Sequence, residues 1–184
     1  LKAFSAAFPS NSDDACMVFK TSHSSDHPIE SKRLKELARE FGIFDRTFFF
    51  DDYMPREKLL FLTAASDAYI SLHRGEGLGM GMLEAMTLGV PVVATDYGGN
   101  TDFVKEQTAY PVPYKLAEAK SDIPAYDFVS KWAQPDIDAA VTFLQRIYRN
   151  REEVKRKVAT AKDFIEKNYS AETFRNDLSA FLAI

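Results

Sequence analysis

The sequence predicts an α/β fold, a parallel sheet with helices on both faces, and three observations lead there. Short apolar runs of strand length alternate with longer stretches whose apolar residues recur at helical spacing. The stretch from Ser71 to Phe103, SLHRGEGLGMGMLEAMTLGVPVVATDYGGNTDF, reads as strand end, glycine loop, helix and strand, a βαβ unit that calls for a right-handed crossover. The chain has 184 residues, 46% of them hydrophobic and 15 of them Phe, enough for one well-filled domain.

The elements follow in order. Leu1 to Phe8 has helical spacing, with Leu1, Phe4 and Phe8 on one face, and Pro9 stops it. Asn11 to Asp14 is a turn, and Ala15 to Lys20 a short buried strand. Thr21 to Pro28 is a polar loop. Its His23 and His27 lack acidic or Cys partners at zinc-site spacing, so they read as loop histidines. Ser31 to Phe41 is an amphipathic helix with Leu34, Leu37, Ala38 and Phe41 inward, ended by Gly42. Thr47 to Phe50 is a strand. The Asp51-Asp52 pair after it reads as a polar strand end rather than a metal site. Pro55 opens a helix that runs to about Ala65.

Ala68 to Leu72 is the next strand, and glycines then fall at alternate positions, Gly75, Gly77, Gly79 and Gly81. A helix from Met80 to Leu88 closes at Gly89, and Pro91 to Thr95 is a second buried strand. The turn Gly98-Gly99-Asn100 leads into a short helix, Thr101 to Lys105, and offers a second set of N–H donors. Thr108 to Val112 is expected to be the last strand, and Tyr114 to Val129 to be irregular. Three helices finish the chain: Asp136 to Arg149, Arg151 to Asn168, and Ala171 to Leu182 capped by Ser170. Asp136 and Asp138 suit a first helical turn and not a metal. In the second of these helices Val154, Val158, Ala161, Phe164 and Ile165 face inward, and the charges form a solvated face.

Composition excludes several classes. The net charge is −4, with no run of like charge that would hold nucleic acid or an anionic membrane. No 18-residue apolar run spans a bilayer. The single Cys16 rules out an internal disulfide and fits a reducing, cytoplasmic setting.

The chemistry concentrates at the glycine loop. Glycine lets backbone approach a ligand closely, and the following helix start presents unpaired N–H groups and partial positive charge, an anion site suited to phosphate. The loop has neither Gly-Lys-Ser/Thr nor a clean G-x-G-x-x-G, so alone it reads equally as a tight connection. Two carboxylates add to it: Glu76 in the loop and Glu84 in an apolar part of the helix, where a charge needs a partner. Sugar hydroxyls are good partners. A helix-dipole role for Glu76 and an Arg pair for Glu84 are the alternatives.

Three segments, Glu76-Gly77-Leu78-Gly79, Glu84-Ala85-Met86 and Gly89-Val90-Pro91-Val92-Val93-Ala94-Thr95, together resemble the group 1 family of retaining two-domain (GT-B) glycosyltransferases. His73-Arg74, Tyr97-Gly98-Gly99-Asn100 and Trp132-Ala133-Gln134-Pro135-Asp136 resemble a bacterial branch of it. The resemblance implies the Rossmann-like C-terminal half of a GT-B fold and a nucleoside diphosphate sugar as donor, with no metal. It implies transfer to a glycan or other acceptor with retention at the anomeric carbon. A binding module without catalysis, or a sugar-nucleotide epimerase on the same fold, is the alternative. By resemblance Glu76, Arg74 and His73 are the catalytic residues, with Glu76 holding the transferred sugar, and Glu84 holds the ribose. Gly77, Gly79, Met80 and Gly81 cradle the diphosphate, Lys20 lies near the phosphates, Tyr53 and Met54 approach the base, and Gly98, Gly99 and Asn100 meet the sugar or diphosphate end.

The alignment also starts the chain at the helix after the family's first, central strand. It therefore implies a fragment without that strand, its phosphate-gripping cations and the N-terminal acceptor domain. Such a piece binds donor weakly and transfers nothing alone, and any peripheral membrane contact belongs to the absent domain. The strand Ala15 to Lys20 then either pairs directly with Ala68 to Ser71 or leaves a slot for a neighbouring chain.

Overall fold

The computed structural model describes residues 1–9, 14–21, 28–119 and 130–182. The histidines His23 and His27, and most of the Asn11 turn, lie outside them. The helices are α1 (Lys2–Ala7), α2 (Pro28–Glu40), α3 (Arg56–Ala64), α4 (Met80–Leu88), α5 (Ile137–Arg149), α6 (Arg151–Tyr169) and α7 (Ala171–Leu182). The strands are β1 (Met17–Lys20), β2 (Thr47–Phe50), β3 (Tyr69–Ser71), β4 (Val92–Thr95), β5 (Tyr110–Val112), β6 (Tyr114–Glu118) and β7 (Lys131–Pro135).

β1 and β2 pair in parallel, as do β3, β4 and β5 in that order. β4 shows why the sheet needs two helical layers. All four of its residues are buried, and they alternate between faces. Val93 joins Phe4 of α1 and Phe8 just after it, Ala38 of α2 and Leu144 and Ile147 of α5. Val92 and Ala94 join Met82, Ala85 and Met86 of α4 and Ala161 and Ile165 of α6. Tyr110 and Val112 of β5 extend the first layer. Burying each such aliphatic side chain contributes about 1.5–3 kcal/mol before the entropy of ordering it is subtracted.

Among the described residues β1 is laddered only to β2 and β3 only to β4, so the direct pairing of β1 with β3 is not formed. Residues flanking or within both strands, Phe19 and Ile70 among them, nevertheless pack against the same core layer.

Three expectations are corrected. The segment after Val112 is not irregular throughout: Tyr114–Glu118 pairs antiparallel with Lys131–Pro135, Tyr114 opposite Pro135 and Glu118 opposite Lys131. β5 is therefore not the last strand. A hairpin whose exposed residues alternate weakly with apolar ones gives little periodic signal, and Pro113 and Pro135 masked the rest. The short helix expected at Thr101 is instead a 3₁₀ turn, Gly99–Asp102, tightened by Thr101 N–H to the Gly98 carbonyl. The charged face of α6 is not wholly solvated: Glu153 is buried, 2.6 Å from Arg146 Nε and 3.2 Å from Asn150 Nδ2. It stands where α6 leaves α5, and Asn150 caps the helix by accepting the Glu153 N–H. Asp136 caps α5 in the same way, its Oδ1 accepting from the N–H groups of Asp138 and Ala139.

Candidate functional site

The parallel strands β3 and β4 send their C-terminal ends to one sheet edge, the edge where ligands bind in open α/β sheets. From β3 the chain passes through His73, Arg74 and the glycine loop into α4, and from β4 through Tyr97 into the Gly98 turn. The two loops are docked on each other. Gly99 N–H donates to the Glu76 carbonyl at 3.2 Å. Gly98 has φ +102°, and a Cβ there would lie 2.5 Å from Glu76 O, while one at Gly99 would lie 1.8 Å from Gly77 O. Both positions therefore require glycine, one for its backbone angle and contact and one for contact alone. The Gly99 N–H is spent on this docking. The expectation that Gly98, Gly99 and Asn100 present a row of free donors is corrected to that extent. Asn100 is fully buried, its Nδ2 donating to Thr95 O at 2.9 Å, and its Oδ1 has no hydrogen-bond partner among the described residues.

His73 braces the same junction. Its Nε2 lies 2.8 Å from Tyr97 O, its Nδ1 3.1 Å from Ser71 Oγ, and its carbonyl accepts from Thr95 Oγ1 at 2.7 Å. A carbonyl only accepts, so the network assigns the proton to Nε2 and leaves Nδ1 to accept from the serine hydroxyl. Both ring nitrogens are thus engaged within the junction.

α4 begins at Gly79. Glu76 Oε1 accepts the Gly79 N–H at 3.1 Å, so the carboxylate sits at the positive end of the helix. Met82 and Leu83 N–H bond back to Gly79 O, whereas the N–H groups of Met80 and Gly81 have no partner among the described residues. Of the cradle expected from Gly77, Gly79, Met80 and Gly81, the Gly79 N–H is taken by Glu76, and the N–H groups of Gly77, Met80 and Gly81 have no partner among the described residues. Gly77 has open space where a Cβ would stand. Glu84, one turn further on, is largely buried, with its side chain 20% exposed, and pairs with Arg56 Nη2 at 2.5 Å. Both alternatives weighed from sequence are realised here, the helix-end role for Glu76 and the arginine pair for Glu84. Each leaves one carboxylate oxygen over for a further donor.

Tyr69 lies with the two carboxylates. A Cβ at Gly81 would meet the Tyr69 hydroxyl at 2.5 Å, so that hydroxyl rests on the first turn of α4. Burial, followed by the charges of Glu76 and Glu84, raises its pKa. Glu76, bonded to the Gly79 N–H at the start of α4, and Glu84, within α4, both belong to the α4 layer of the sheet. Sequence reading had Tyr69 as a strand residue only, and nothing in its spacing marks the hydroxyl.

The remaining expected residues scatter more. Arg56 opens α3, so its pair with Glu84 ties the preceding Tyr53–Met54 loop to the site; Tyr53 is 85% exposed and Met54 half-buried. Lys20 ends β1, and its amine donates to its neighbour's carbonyl, Thr21 O. Asp51 is held by Lys35 at 2.7 Å and Thr21 at 2.9 Å, and these hydrogen bonds lower its pKa. Among the described residues no cluster of three or more His, Cys, Asp or Glu is placed to hold a metal. No described helix is long and apolar enough to cross a membrane.

This geometry can be set beside known proteins. Residues 28–120 match the family of glycosyl transferases group 1. The chain is 36% identical over 78 residues to the lipopolysaccharide core biosynthesis mannosyltransferase LpsB of Rhizobium meliloti, covering 42% of this chain and 21% of that protein. It therefore spans about a fifth of that relative's length. Two solved structures share the fold over 99% of the chain: sucrose-phosphate synthase of Thermosynechococcus elongatus, TM-score 0.74 at 19% identity, and Anabaena Alr3699/HepE in complex with UDP and glucose, TM-score 0.71 at 14% identity. The chain covers 41% and 44% of them, and its fold corresponds to the C-terminal half of these GT-B structures. The family match spans half of the chain and includes the whole glycine-loop site: the chain belongs to the group 1 glycosyltransferases.

Proposed function

We propose that this chain is the donor-binding domain of an enzyme that moves a hexose from a nucleoside diphosphate sugar to a glycan or other hydroxyl-bearing acceptor. The observation that carries the reading is the convergence of Glu76, the open N–H groups of Met80 and Gly81, and Glu84 at one sheet edge. Uridine diphosphate is the first nucleotide to test, since one structural neighbour was solved with UDP and glucose. A curated relative is named a mannosyltransferase, which supports a hexose.

In this reading the diphosphate rests on the Met80 and Gly81 N–H groups. The oxygen of Glu84 not paired with Arg56 accepts from the ribose, and the free oxygen of Glu76 accepts from the sugar. When the bond from the anomeric carbon to the phosphate oxygen breaks, its electron pair stays on that oxygen. The helix start opposes the growing charge without reorganising, at about 3 kcal/mol for each good donor. The acceptor oxygen forms the new bond to the anomeric carbon, and its proton leaves on the released diphosphate. We take retention of configuration and independence from divalent metal as part of the proposal, together with a cytoplasmic site of action.

The open edges of β1 and β3 support a further part of it: a strand from elsewhere in the full protein fills a one-strand slot between them, and a separate domain binds the acceptor. This piece alone then binds donor weakly and does not transfer. The test incubates the intact protein with labelled UDP-hexoses in the presence and absence of EDTA and resolves the products. A glycosylated acceptor with retained configuration, formed equally with EDTA, supports the reading. Release of an epimerised nucleotide sugar, or binding with no turnover for any acceptor, replaces it.

A further inference from the structure

The hairpin of β6 and β7 lies outside the groups assigned above to the donor, yet it is fastened to the site at two points. Tyr114 of β6 stacks edge-on against Tyr97 at 4.9 Å, beside the carbonyl that holds His73. On β7, Ala133 N–H donates to the Arg74 carbonyl at 3.0 Å, and the Trp132 ring lies 4.3 Å from the Arg74 guanidinium carbon. Asp136 N–H closes the base of the hairpin on Pro113 O at 2.8 Å. Arg74 is exposed and stands two residues before Glu76, but it makes no ion pair or side-chain hydrogen bond among the described residues. Its charge is held by an aromatic face and a backbone bond, while its N–H edges stay uncommitted. Stacking fixes a guanidinium plane without consuming its donors, which a carboxylate partner would not do.

We propose that Trp132 is a positioning residue: it holds Arg74 over the glycine loop so that the free guanidinium edge meets the negative charge that develops on the departing diphosphate. The inference rests on the transferase reading given above. Free arginine side chains sample many rotamers, and ordering one only as the bond breaks would subtract from its effect on the barrier. The tryptophan carries out that ordering beforehand. Phenylalanine at this place keeps a weaker face for the cation, and leucine keeps volume without one.

The test is a double-mutant cycle in the intact protein, with Trp132→Leu, Arg74→Ala and the pair, read as kcat and donor KM for UDP-hexose transfer, with UDP affinity by calorimetry alongside. Trp132→Leu is expected to lower kcat about 2- to 30-fold with donor KM little changed, and Trp132→Phe to recover most of the loss. In the Arg74→Ala background Trp132→Leu should have no further effect. If the tryptophan's factor is the same with and without Arg74, the inference is overturned, because Trp132 then acts on general packing. Should the leucine variant fail to fold, the Trp132→Phe cycle decides in the same way with a smaller factor. An unsubstituted protein that neither transfers nor binds UDP overturns the transferase reading itself, and this inference with it.

Discussion

Substituting Gly99 with alanine perturbs the junction of the two loops while leaving Glu76, Glu84 and the N–H groups of Met80 and Gly81 chemically unchanged. A Cβ at Gly99 would lie 1.8 Å from Gly77 O, where real Cβ atoms keep 3.0 Å or more. The obstacle is backbone, so no side chain can swing aside, and the two loops must part by more than about 1 Å. The Gly99 N–H bond to Glu76 O, already 3.2 Å, would be lost in the process. Overpacking of this kind costs about 1–3 kcal/mol of stability. The functional effect should be larger, because Glu76 moves with the loop, and a misplacement of about 1 Å at a reacting centre lowers turnover about 10²-fold. The assay pairs thermal unfolding with steady-state transfer on the intact protein. A folded Gly99→Ala variant with unchanged turnover and donor KM would refute the claim that docking of the two loops sets the position of Glu76.

Two further substitutions report on the frame. Glu153→Ala removes the buried carboxylate that joins α5 to α6 and should cost about 1–3 kcal/mol by chemical denaturation. It should also let the Tyr110 hydroxyl, now pushed up to about 12 by burial and then by Glu153, titrate lower in an ultraviolet pH scan. Asp51→Asn tests a surface network. The Asp51 pKa is depressed in the folded state by its bonds to Lys35 and Thr21, so its contribution is present above the ordinary carboxylate range and disappears as pH falls through the folded value. The variant should therefore lose about 1 kcal/mol or less at pH 7 and show a flatter acid limb of the stability curve.

Much of this arrangement was legible in the residues. The helix Met80–Leu88 and the strand Thr47–Phe50 fall where periodicity and flanking glycines put them, because a buried strand and a Gly-bounded helix leave strong local marks. The hairpin was not legible: its strands are short and mostly exposed, so burial leaves no alternating pattern. The kinds of partner for the site acids were weighed from sequence, but not which arginine would reach Glu84. Arg56 reaches Glu84 from α3, and Tyr69 reaches Gly81 from β3, and only the way these neighbouring elements pack brings the side chains together. The docking of Gly99 against Gly77 was likewise invisible, since a Gly-Gly turn looks the same whether it is free or in contact.

The account's central claim is that Glu84 and the start of α4 divide a nucleoside diphosphate between them, ribose to the carboxylate and phosphates to the N–H groups. Calorimetry of the intact protein and its Glu84→Gln variant, with UDP and with inorganic pyrophosphate, tests that division directly. The variant should bind UDP about tenfold or more weakly, as expected for loss of a charged hydrogen-bond acceptor, while pyrophosphate affinity stays within about twofold. Equal affinities of the two proteins for UDP, or an equal loss for UDP and pyrophosphate, would contradict it.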